Sequence, residues 1–166
     1  MTIELRPEPL TRERFAPYGD VVTVDAAHKA VMNHGRFERF DDLSRIDLAE
    51  SGTASLSIAR CRVATALPYR IEMVERHPRG SQAFIPLTPC KLIVVVAPPQ
   101  ADVEAAELRA FVSNGRQGIN YRRGTWHMPL IAFDVGREYL IIERADDGPN
   151  CDQHWLDEAV LLLGEN

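Results

Sequence analysis

Eight short runs of β-branched or alternating residues, each ended by proline, glycine or aspartate, recur at 21–24, 55–63, 71–74, 83–86, 92–97, 108–112, 131–133 and 138–142. Runs of this length suit pleated strands and are too short for a helix with its own apolar stripe. They predict a mainly β chain whose strands return on one another as a sandwich or barrel. A helix needs apolar residues every 3.6 positions over ten or more residues, and only 157–163 approaches that, so a short helix is expected there. Another short helix is expected from Thr11 to Phe15. The threonine hydroxyl can cap it, Pro17 and Gly19 end it, and Phe15 with Tyr18 forms one apolar face. The segment 25–35 lacks a clear pattern and is long for a connection, which marks it as a lid or as a segment ordered by packing.

No internal repeat or long linker divides the 166 residues, so one domain over 1–166 is expected. With 45% hydrophobic and 26% charged residues, it can bury a sizeable core. The formal charge of -5 leaves no cationic excess to release counterions from a phosphate backbone, so nucleic acid is not an expected partner. The longest apolar run, 92–97, is too short to span a bilayer. The first ten residues carry charges and two prolines where a signal peptide needs an apolar stretch. Cys61, Cys90 and Cys151 are widely spaced and form no C-x-x-C pair, which argues against a disulfide framework and for a reducing, cytoplasmic setting.

Two polar clusters stand out. Glu75-Arg76-His77-Pro78-Arg79-Gly80-Ser81-Gln82 directly follows the run 71–74. If that strand continues to His77, Glu75 and His77 point to one face because side chains alternate, and a glycine turn brings Gln82 back beside them. The second cluster, 118–130, places His127 three residues after Gly124 and just before the expected strand 131–133.

Taken together, the clusters resemble the cupin metal motifs G-x5-H-x-H-x3,4-E-x6-G and G-x5-P-x-G-x2-H-x3-N. Glu75 stands where the first ligand histidine would be, His77 at the second, Gln82 at the glutamate and His127 at the last histidine. The flanking positions depart from the pattern: its glycines fall on Tyr69, Pro89 and Arg116, its proline on Arg122 and its asparagine on Ile131. Longer strings are more specific. E-R-H-P-x-G-x-Q-A-F-I-P (75–86), N-G-x-Q-G-x-N-Y (114–121), W-H-x-P-L (126–130) and N-C-D (150–152) resemble the ureidoglycolate lyase family, formerly called ureidoglycolate hydrolase. That resemblance covers the whole chain. It implies a cupin-like double-stranded β-helix, a jelly-roll barrel with a short N-terminal helix. It also implies a homodimer, a divalent metal, usually nickel, and cleavage of ureidoglycolate into glyoxylate and urea at the end of allantoin degradation.

Ureidoglycolate is a carbinolamide, in which one carbon carries a carboxylate, a hydroxyl and a urea nitrogen. Cleavage removes the hydroxyl proton as the C–N bond breaks and gives a proton to the departing urea, with no water consumed. On the resemblance, Glu75, His77, Gln82 and His127 form the metal set, leaving two octahedral positions for a chelating substrate. Such mixed N and O donors suit nickel, iron, manganese or zinc. Gln82 is equally suited to hydrogen-bonding the urea group. The anionic substrate calls for a cation, with Arg60 first and Arg39 second, and Tyr121 is a candidate donor to the leaving nitrogen. Trp126 and Phe84 are expected to wall the pocket. Another metal-dependent cupin enzyme, a dioxygenase or an isomerase, or a non-enzymatic carboxylate-binding cupin, would share this pocket.

Overall fold

Strand structure dominates the computed structural model, which describes residues 2–24, 28–49, 51–145 and 147–165. The first half holds β1 (Ile3–Leu5), β2 (Glu8–Pro9), β3 (Gly19–Val22), β4 (His28–Met32), β5 (Phe37–Asp41), β6 (Thr53–Arg60) and β7 (Tyr69–Arg76). The second half holds β8 (Gln82–Pro86), β9 (Ile93–Ala97), β10 (Arg109–Val112), β11 (Gly118–Tyr121), β12 (Trp126–His127), β13 (Glu138–Ala145) and β14 (Asp152–Leu162). Among the described residues, helix is limited to α1 (Arg12–Phe15) and a 3-10 turn at Ala105–Glu107. As expected, the Thr11 hydroxyl caps α1 by accepting from the Arg14 N–H, at 3.3 Å.

The strands build a seven-stranded sheet, in the order β1-β14-β7-β12-β9-β10-β2, and a five-stranded sheet, β3-β11-β8-β13-β6. Neighbours that are distant in sequence, such as β14 beside β7 and β13 beside β8, are the returns that make a cupin-like β-sandwich. Its interior joins both sheets. Val21, Phe84, Ile119, Tyr121 and Tyr139 from the smaller sheet meet Val94, Val96 and Phe111 from the larger, and Phe15 and Tyr18 close the end. The opposite face of the larger sheet is also buried: Ile93, Val95, Ala97, Trp126, Val160 and Leu162 pack with Val103, Ala105 and Leu108. Both faces of β9 are therefore covered, which is why 92–97 is apolar without alternation.

Three expectations are corrected. Residues 157–163 are not helical, because the segment completes β14 along β7, with Val160 opposite Ile71 and Leu162 opposite Tyr69. Burial of Val160 and Leu162 follows period 2, and an irregular stretch between Trp155 and Val160 hid that period. The run 131–133 is irregular rather than a strand, and the strand at this point is the shorter β12. Within 25–35, residues 28–32 form β4, which pairs with β5 in a hairpin of its own, while residues 25–27 lie outside the described residues. Its turn takes positive φ at Asn33 (50°), His34 (57°) and Gly35 (86°).

Candidate metal centre and cavity

β7 and β12 lie side by side, with Glu75 directly opposite His127, so both side chains leave the sheet on the same face. His127 is also opposite Val96, an interior residue, which fixes that face as the inside of the sandwich. His77 comes just beyond the end of β7. Its carbonyl accepts the Gly124 N–H at 2.9 Å, a bond that ties the two polar clusters together. Gly124 sits at φ 80°, in the left-handed region where a side chain is disfavoured.

Each histidine is oriented by a backbone carbonyl, with Nδ1 of His77 2.6 Å from the Asn150 oxygen and Nδ1 of His127 2.9 Å from the Thr125 oxygen. A carbonyl only accepts, so Nδ1 carries a proton in both rings, and in the neutral imidazole Nε2 is then the atom with the lone pair. Both Nε2 atoms are buried without a hydrogen-bond partner. An orphaned buried acceptor costs about 1–3 kcal/mol, and two aimed at one carboxylate await a cation. Ligand atoms of Glu75, His77 and His127 all lie within 4.8 Å of one another, slightly wider than the ~4.2 Å spanned by two bonds of ~2.1 Å. The donor set fits a divalent transition metal.

Electrostatics agree with that fit. The Glu75 carboxyl is held below its ordinary range, chiefly by His127, whose Nε2 lies 3.6 Å from Oε1; that lowering requires positive charge between the two atoms, the place a bound cation would fill, and it outweighs burial. Glu75 is therefore an anion at neutral pH. The Cys151 thiol, 3.6 Å from the other Glu75 oxygen, is pushed up to about 11 by burial and then by the Glu75 charge, so it remains a thiol. Glu75 also lines a cavity of about 380 Å³ that opens between β6, β13 and residues 130–132 and is walled by Phe84, Tyr139 and Ile141. That volume suits a small metabolite.

The other expected site residues are distributed differently. Gln82 is on the facing sheet, not beside Glu75 on the same one, and its Nε2 donates to Glu143 at 2.7 Å. Because a carboxylate only accepts, this bond fixes the amide and leaves the buried Oε1 unpaired. Trp126 is not a pocket wall. Being next to His127 on a strand, it points to the opposite face, under the Arg76 guanidinium at 4.5 Å and against His154. Phe84 does line the cavity.

Arg60 also lines it, but its Nε donates to Glu138 at 2.7 Å. Arg39 belongs to the separate hairpin, is paired with Asp41 at 2.6 Å and is not among the cavity-lining residues. The Tyr121 ring stacks on His127, with centroids 4.2 Å apart and planes at 18°. Burial, and then the Glu75 charge, push its hydroxyl far above the usual range, which makes it a poor proton donor. We expect Tyr121→Phe to keep kcat within about threefold, whereas loss of a true general acid costs roughly 10²-fold or more; stopped assays on the folded variant decide this.

Sequence reasoning missed Glu143, Arg62 and the carbonyls of Thr125 and Asn150. The only signal for any of them was the N-C-D string at 150–152, which brings Asn150 and Cys151 to the centre.

The sequence matches a family model described as ureidoglycolate lyase over residues 2–163. A protein named ureidoglycolate lyase from Pseudomonas savastanoi pv. phaseolicola is 45% identical over 157 residues, covering 94% of this chain and 92% of the relative. One of the same name from Burkholderia mallei (strain NCTC 10229) is 45% identical over 165 residues, covering 95% and 96%. Another, from Pseudomonas entomophila, is 43% identical over 157 residues, covering 94% and 93%.

Proposed function

The chain belongs to the ureidoglycolate lyase family, and on that premise we propose that its cavity cleaves ureidoglycolate into glyoxylate and urea. The observation that carries the reading is the convergence of two histidine Nε2 atoms on Glu75, which itself lines a metabolite-sized cavity. Glu75, His77 and His127 would hold a divalent metal, nickel by the family resemblance, which supplies Lewis-acid lowering of the substrate hydroxyl pKa when bound.

The rest is done by the chain's own groups. Glu75 takes the hydroxyl proton as the C–O bond becomes a carbonyl and the C–N bond breaks, then returns that proton to the departing nitrogen. Urea leaves, and no water is consumed. Gln82 presents its unpaired Oε1 to an N–H of the ureido group, with Glu143 holding the amide in that orientation. Phe84, Tyr139 and Ile141 keep the reacting end apolar, which strengthens each of these polar contacts.

A homodimer working in the cytoplasm on the allantoin route fits the family. The exposed Leu56 and Ile58 on edge strand β6 support a contact between copies, and the free cysteines support a reducing compartment. No helix among the described residues is long and apolar enough to cross a membrane. Purified, metal-analysed protein mixed with ureidoglycolate should release glyoxylate and urea in equal amounts, with or without oxygen. Ammonia in place of urea would assign hydrolysis instead, and a requirement for oxygen would assign a dioxygenase.

A further inference from the structure

Three charged side chains line the cavity: Arg60, Arg62 and Glu75. Glu75 belongs to the candidate metal cluster with His77 and His127, and Arg60 is balanced by Glu138, which accepts from both its Nε and a terminal nitrogen at 2.7 and 2.6 Å. Arg62 has no hydrogen bond or ion pair with any described residue. We propose that Arg62 is the docking site for the carboxylate of the small α-hydroxy acid this cavity binds and of the α-keto acid it releases. The ligand class rests on the function proposed above; the site itself rests on the cavity.

The backbone around Arg62 is fixed. The Cys61 N–H donates to the Arg137 carbonyl at 2.8 Å, the Cys61 carbonyl accepts from Gly136 at 2.9 Å, and the Thr65 N–H donates to Ala132 at 2.8 Å. Residues 62–64 are thus strapped across the rim between two anchored points, and the exposed Arg62 side chain is free to turn inward. An α-hydroxy acid carries its carboxylate one carbon from its hydroxyl. With the hydroxyl at Glu75, a carboxylate turned away from it would meet Arg62, which lines the same cavity. A planar guanidinium matches a carboxylate with two parallel N–H···O bonds, and one uncompensated positive charge matches a monoanion.

Calorimetry with glycolate and its neutral amide, glycolamide, on the protein as purified tests the site without turnover. Wild type should bind glycolate more tightly, and Arg62→Ala should weaken glycolate about 10- to 100-fold while leaving glycolamide unchanged. With ureidoglycolate, KM should rise by a similar factor with kcat changed much less, and Arg62→Lys should recover only part of the loss. Equal glycolate affinity in wild type and Arg62→Ala, or no preference for glycolate in wild type, overturns the proposal. Selective glycolate binding that depends on Arg62 in a protein that does not split ureidoglycolate would uphold this site and sink the substrate assignment.

Discussion

In His77→Ala, bound metal and turnover should disappear together. The ring supplies one of only two imidazoles in the cluster, and its Nε2 has no other partner. Changes to groups that merely orient a metal ligand cost 10–100-fold in affinity, so deleting a ligand should cost more than about 100-fold. Loss of the Lewis-acid contribution, worth several kcal/mol, should lower kcat by roughly 10³-fold. His77 is only half-buried, so the variant should fold. Glu75→Gln separates the roles: it keeps the shape, loses the anion, weakens metal binding less than His77→Ala, and still slows the reaction because the proton acceptor is gone. The measurement is kcat on folded protein beside metal content and melting temperature. A purely structural cluster would lower the melting temperature of both variants and leave kcat intact.

The part of this site that was legible in the sequence was set by local geometry. Alternation along a strand continued to His77 predicts a shared face with Glu75; β7 stops one residue short, at Arg76, and His77 still falls beside Glu75 in the cluster. The same rule separates Trp126 from His127, and assigning both to one pocket overlooked it. What could not be read depends on partners far along the chain. Glu143, which orients Gln82, is 61 residues away, and Glu138, which neutralises Arg60, is 78 residues away. Pairing across the smaller sheet decides both contacts, and a single sequence carries no record of its register. β14 is a comparable case. Asp157 to Leu163 fits either period over so few residues, and only the place beside β7 selects the strand.

Phe15→Ala should be among the most destabilising single changes, and it should also reach the metal centre. Phe15 is completely buried, and its ring meets Phe111 edge-on at 5.7 Å, Tyr18 at 5.9 Å and Tyr121 at 6.3 Å. Removing a buried phenyl costs about 3–5 kcal/mol, combining lost transfer energy with the cavity left behind. For a chain of this size that lowers the melting temperature by roughly 6–20 °C. Tyr121 is the link to function, since one side of its surroundings is Phe15 and its ring stacks on His127 at 4.2 Å. Losing Phe15 lets Tyr121 relax toward the void and deprives His127 of its stacked ring, leaving the Thr125 contact, the His77 ring at 5.2 Å and the β12 backbone to hold it. At a temperature where the variant is fully folded, metal affinity should therefore fall by several-fold, far less than in His77→Ala. If the melting temperature drops while metal affinity stays at the wild-type value, the aromatic cluster stabilises the fold without positioning the ligand.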